Sequence, residues 1–199
     1  MKITDDFIHT LAFALVILAW FAFALAFLLR PKAPAATESK RDPTSRLGIA
    51  LQGVGYALVW AVHRPYFTPL LPAAGRAANV ALSCVAVVVA FASSWMVVAA
   101  ARALGKQWSL TARVVEGHRL VTEGPYRLVR HPIYTGMLGM LVATGLVTSH
   151  WWALPFALAA FLFGTFVRVR SEERLLRETF GGEFDAYARR VRAVVPGLF

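Results

Sequence analysis

The chain has 199 residues, of which 58% are hydrophobic and 16% charged, with a formal net charge of +10 and a mean hydropathy of +0.57. A soluble domain sits nearer ~45–50% apolar and ~25% charged, so the composition excludes an ordinary soluble enzyme and reads as an integral membrane protein. Cys84 is the single cysteine, which excludes an intrachain disulfide and a thiolate metal site. The positive balance does not mark a nucleic-acid binder, because the bases lie between long uncharged runs rather than on one globular face.

Taken in order, Phe7 to Leu29 is uncharged and exceeds the ~20 helical residues needed to cross a bilayer core. It is too long for a signal-peptide core and reads as a retained first span. Arg30 to Arg46 is polar, with three prolines and five bases, and reads as a cytoplasmic loop. Leu47 to Val62 is a shorter apolar run that ends at His63-Arg64-Pro65. Tyr66 to Arg76, rich in proline and small residues, reads as an interfacial connection on the opposite side.

Ala77 to Ala101 carries no charge and predicts a third span. Arg102 to His131 holds six bases and reads as a second cytoplasmic loop. Pro132 to Ser149 and Trp151 to Val167 are two further apolar runs with almost nothing between them, which predicts a tight antiparallel hairpin anchored at the interface by Trp151 and Trp152. Arg168 to Phe199 is a charged tail with seven bases. Its apolar stripe of Leu176, Phe180, Phe184, Tyr187, Val191 and Val194 is helical in spacing, interrupted at Gly181-Gly182 and stopped by Pro196-Gly197. Such a stripe is expected to lie on the membrane surface or dock under the bundle.

The two loops and the tail together hold 18 of the 21 Lys and Arg. That bias predicts five spans, with the N-terminus out and the C-terminus in the cytoplasm. The expected fold is therefore an all-α integral membrane protein with a C-terminal amphipathic helix. Residues 1–101 form three N-terminal spans; residues 102–199 form a functional region of loop, hairpin (132–167) and tail. The expected setting is a bacterial inner membrane.

The stretch from Glu123 to Gly136 gathers polar groups at the mouth of this apolar protein. Pro132 suits the first position of a helix, where its missing N–H is not needed. Arg130, His131 and Tyr134 then cluster at a helix N-terminus, which favours anionic groups. No HExxH, GxSxG or strand-linked GxGxxG is present, so a metalloenzyme, a serine hydrolase and a Rossmann site are not expected. Arg168 and Glu172 share a helix face four residues apart. The plain reading is an exposed ion pair, continued by Glu173 with Arg177 and Arg174 with Glu178. Their place beside the hairpin mouth makes them functional candidates instead. Arg130 can equally be a positive-inside anchor, Tyr126 and Tyr134 interfacial-belt residues, and His118 and His131 surface histidines.

Three pieces resemble the isoprenylcysteine carboxyl methyltransferase family, within a wider group that includes phospholipid methyltransferases. They are His118-Arg119-Leu120-Val121-Thr122 leading to Gly124-Pro125-Tyr126, then Arg130-His131-Pro132-Ile133-Tyr134-Thr135-Gly136, then Glu172-Glu173 with Leu176, Phe180-Gly181, Tyr187, Val191 and Pro196. The resemblance covers roughly residues 100–199. It implies S-adenosylmethionine bound at the cytosolic face by His118, Arg119, Leu120, Val121, Tyr126, His131, Pro132, Ile133, Tyr134 and Glu172. Arg168 matches the family's substrate-contacting arginine, and Arg168, Glu172 and His131 are the expected catalytic set. Family members can carry a glutamine seven residues before the His118 position, where this chain has Thr111.

The implied reaction is carboxyl O-methylation of a lipophilic, isoprenylcysteine-like acceptor drawn from the bilayer lipids, with no metal and no nucleic acid; oligomeric state is left open. Alternative acceptors are a phospholipid amine or a small thiol. A different class, the NADPH-dependent membrane sterol-type reductases, also carries an HPxY-like segment, though usually on more spans. A non-catalytic membrane subunit is the third reading.

Overall fold

A computed structural model describes residues 2–28, 38–41, 44–105, 113–115 and 119–195. Six helices dominate them: α1 (Lys2–Leu28), α2 (Ser45–Ala61), α3 (Gly75–Leu104), α4 (Pro132–Thr148), α5 (Ala153–Phe180) and α6 (Gly182–Arg190). Among these residues three stretches are long and apolar enough to cross a membrane, Phe7–Ala26, Pro72–Leu104 and Ala153–Phe180, and Pro132–Thr148 is a shorter apolar helix. Outward-facing Phe7, Phe21, Val88, Trp95, Phe156 and Phe163 are all well exposed, as residues facing lipid are.

The expectation of helices alone is met except at one place. Strands β1 (Glu38–Arg41) and β2 (Arg113–Val115) pair antiparallel, so the two basic loops meet in a short ribbon.

Although only four residues separate α4 from α5, their main partners lie elsewhere: α4 packs chiefly on α3, and α5 on α2. Small residues permit this. A Cβ on Gly164 would stand 2.7 Å from the Gly48 carbonyl oxygen and 2.9 Å from the Gln52 nitrogen, so α2 and α5 touch backbone to backbone. A second core joins α1, α3 and α4 through Val16, Ala19, Ala90, Val97 and Met140.

The fifth apolar run ends at Val167, and the helix expected to carry Arg168 and Glu172 out of it continues to Phe180. Hydropathy ends where the bilayer ends; the hydrogen-bonded ladder ends only where the backbone turns, at Gly181 with φ +51°. The helix thus carries Arg168, Glu172 and Glu173 rigidly past the apolar layer. Beyond α6 the chain docks under the bundle: Arg130 N–H donates to the Arg192 carbonyl (2.7 Å) and His131 N–H to that of Ala193 (2.8 Å). The Thr135 hydroxyl donates to the Val194 carbonyl (2.6 Å), and Phe184, Tyr187 and Val194 are buried.

Candidate active site

Pro132 opens α4 and His131 is its cap residue, with non-helical backbone. The preceding Gly124–Arg127 is a single 3₁₀ turn that buries Tyr126. Together these deliver His131 and Tyr134 to the face of α5 where Glu172 and Glu173 stand.

The resulting cluster is interlocked. Tyr134 donates its hydroxyl to Glu172. His131 Nδ1 lies 3.4 Å from Glu172 Oε2, and its Nε2 lies 3.2 Å from Glu173 Oε1. Arg168 Nη2 reaches Glu172 Oε1 at 3.4 Å, and Arg130 Nη2 reaches Glu173 Oε1 at 2.7 Å. Arg130 also donates to the Ala188 and Val191 carbonyls, which ties the cluster to the tail. The Tyr134 ring has two further contacts: His131 stacks on it with centroids 5.6 Å apart, and the Arg168 guanidinium lies 4.9 Å from its centroid.

Burial alone pushes the His131 pKa down, but its bonds to Glu172 and Glu173 outweigh this and the net direction is up. A ring that faces a carboxylate with each nitrogen is satisfied as the imidazolium, donating from both. With His131 protonated, Arg130, Arg168 and His131 oppose two carboxylates, and these five groups carry one net positive charge. Burial, assisted by the Glu172 charge, raises the Tyr126 phenol well above its usual value, so it stays a donor.

Beside this cluster lies a cavity of about 60 Å³, lined by Leu104, Arg119, Leu120, Val121, Tyr126, Arg130, Leu176, Phe184 and Tyr187. The sequence-derived candidates therefore fall into two adjoining sets. Arg119, Leu120, Val121 and Tyr126 line the cavity, while His131, Tyr134, Arg168 and Glu172 form the ionised cluster. Pro132 is buried at the start of α4, followed by the partly buried Ile133. His118 and Thr111 lie outside the described residues.

The plain surface pairing of Glu173 with Arg177 is not what forms. Glu173 turns to Arg130 and His131, and Arg177 pairs with Asp185 at 2.8 Å. Sequence reasoning also passed over Gln52, whose Oε1 accepts from Arg168 Nη1 at 3.3 Å. No motif marks it, because it sits in an apolar helix 116 residues away. Among the described residues no group of His, Cys, Asp or Glu could hold a metal ion.

Fold and site together define a helical integral membrane protein with an ionised cluster at one end of its bundle. The chain belongs to the phospholipid methyltransferase family, whose pattern its residues 81–183 match. It is 39% identical over 82 residues to protein-S-isoprenylcysteine O-methyltransferase B of Arabidopsis thaliana, a match covering 41% of each chain. It is 36% identical over 98 residues to the nickel-cobalt-cadmium resistance protein NccN of Alcaligenes xylosoxydans xylosoxydans, covering 48% of this chain and 45% of that one. To methanethiol S-methyltransferase 2 of Bradyrhizobium diazoefficiens it is 34% identical over 85 residues, covering 43% and 32%. The chain thus spans less than half the length of these curated relatives.

Proposed function

We propose that this protein is a membrane methyltransferase that uses S-adenosylmethionine to methylate the carboxylate of a lipophilic, isoprenylcysteine-like acceptor. The observation that carries the reading is the union of His131, Tyr134, Arg168 and Glu172 in one cluster beside the cavity of Arg119, Leu120, Val121 and Tyr126, all inside the family-matched segment.

The donor set fits such a cofactor. Arg119 and Tyr126 supply donors for a carboxylate or hydroxyls, Glu172 supplies an acceptor for an ammonium, and Leu120, Val121, Leu176 and Phe184 supply apolar surface. His118, His131, Pro132, Ile133 and Tyr134 complete the proposed contacts. When bound, S-adenosylmethionine supplies a methyl group already activated on a sulfonium.

The chain's own task is then to orient an anionic acceptor. A carboxylate is ionised near neutral pH and needs no general base, and Arg168 offers it a planar fork. The net positive charge of the cluster favours an anion, and Tyr134, packed on the Arg168 guanidinium, restrains its direction. The bias of bases supports a cytoplasmic mouth on a five-span protein with its N-terminus outside, within reach of acceptors dissolved in the bilayer.

The test is calorimetric titration of detergent-purified protein with S-adenosylhomocysteine and, separately, NADPH, in wild type and Glu172→Gln. Saturable binding of the first, weakened at least ~10-fold by the substitution, is the expected result. Binding of NADPH alone would replace the reading with a reductase, and binding of neither would leave a non-catalytic subunit.

A further inference from the structure

We propose that Gln52 on α2 is a positioning residue that sets the Arg168 guanidinium for the acceptor carboxylate; the inference rests on the proposed role of Arg168. Gln52 is 2% exposed and lies in the tight seam where α2 meets α5. Its Oε1 accepts from Arg168 Nη1 at 3.3 Å, and its Nε2 donates to Thr165 Oγ1 at 2.9 Å. Thr165 is itself buried on α5, one turn before Arg168.

The direction of this relay is fixed by chemistry. A guanidinium can only donate, so the amide must turn its oxygen to Arg168 and its nitrogen to the hydroxyl of Thr165. The reverse amide would set two donors face to face. Glu172 holds Arg168 through Nη2 and Gln52 holds it through Nη1, while the stem of Arg168 passes directly against Gly48, where a Cβ would collide with its Cγ. With the Tyr134 ring against the guanidinium, four constraints from three helices bear on the fork. Two of them come from α2, a helix that carries none of the family-like motifs, so the N-terminal half of the chain enters the geometry of the site through Gln52 and Gly48. Thr165 sets the rotation of the amide and thereby acts on Arg168 at one remove.

An ordinary interhelical glue residue would produce the same contacts, so the readout must separate ligand from fold. The measurement is methyl transfer from S-adenosylmethionine to N-acetyl-S-farnesylcysteine, with binding of that carboxylate and of S-adenosylhomocysteine, in Gln52→Met, Thr165→Val, Thr165→Ser and Arg168→Met. Loss of a hydrogen bond to a charged group predicts a rise of about 10-fold in KM for the carboxylate in Gln52→Met, with S-adenosylhomocysteine affinity unchanged. Thr165→Val shifts KM the same way, Thr165→Ser restores it, and Gln52→Met with Thr165→Val is no worse than Gln52→Met alone. If Gln52→Met fails to fold, the Thr165 pair decides by the same criterion.

Equal weakening of both ligands with a lowered melting temperature would overturn the inference and leave Gln52 as packing. So would an unchanged KM in the Gln52 and Thr165 variants while Arg168→Met raises it. If Arg168→Met leaves KM unchanged, or the wild type neither binds nor methylates the carboxylate, the role of Arg168 falls and the inference falls with it.

Discussion

Two buried arginines at opposite ends of α4 do different work. Arg64, between α2 and α3, donates to three backbone carbonyls: those of Thr68 (2.9 Å), Ser149 (2.6 Å) and Leu146 (2.8 Å). It closes the far end of the bundle by joining two carbonyls at the C-terminal end of α4 to one in the α2–α3 connection. Its burial lowers its pKa to about 10, still charged at neutral pH. Arg168 is equally buried, and among the described residues it reaches the side chains of Gln52, Glu172 and Tyr134. Backbone carbonyls cannot move without the main chain that carries them, whereas side-chain carboxylates and amides can swing from one partner to another. The first arrangement is a rivet, and the second can make room for a ligand.

The largest expected effect breaks the end proposed to face the ligand. Arg168→Met removes one member of a buried charge network, a change worth roughly 2–5 kcal/mol. The rate of transfer to a carboxylate acceptor, measured as kcat/KM, falls by about 10²-fold or more, and S-adenosylhomocysteine affinity changes far less. At the other end, Arg64→Met leaves three carbonyls without their donor and lowers stability by about 2–4 kcal/mol. Thermal unfolding in detergent would register that loss, while the ligand affinity of the folded fraction stays the same. A matching loss of affinity would erase the distinction between the two ends.

Gly164→Ala, which forces a methyl group against the Gly48 carbonyl, is expected to cost about 1–3 kcal/mol and to disturb Arg168 as well as the fold. It therefore lowers both melting temperature and kcat/KM. The smallest effect is titration of His131. Its folded pKa is raised above the ordinary ~6.5, so the stability it contributes is complete below that value. It is lost as pH rises through the folded pKa. Melting temperature should decline over that window in wild type, and His131→Asn should flatten the decline.

How much of this was legible in the sequence follows from the range of each interaction. The uncharged runs mark α1 and α3 because lipid acts on every residue of a span in the same way. Pro132 marks the start of α4 because its constraint is local. The i,i+4 spacing of Arg168 and Glu172 correctly places them together, at 3.4 Å. The same rule applied to Glu173 selects Arg177, but Arg130 and His131, more than 40 residues earlier, offer a buried alternative at closer quarters. Periodicity has no knowledge of such a competitor. Gln52 carries no spacing signal, since its partners sit on another helix. The pairing of β1 with β2 was equally silent: each is only a few residues of a basic loop, and the partner alone defines the strand.

The backbone contact between α2 and α5 has a consequence for traffic. At Gly48 and Gly164 the two helices stand too close for even a methyl group to fit between them, so that seam is sealed against a hydrocarbon chain. A long-tailed molecule coming sideways out of the bilayer has no doorway there. Whatever corridor it takes must open between other helices, and widening the α2–α5 seam would unseat Arg168 before it admitted a guest.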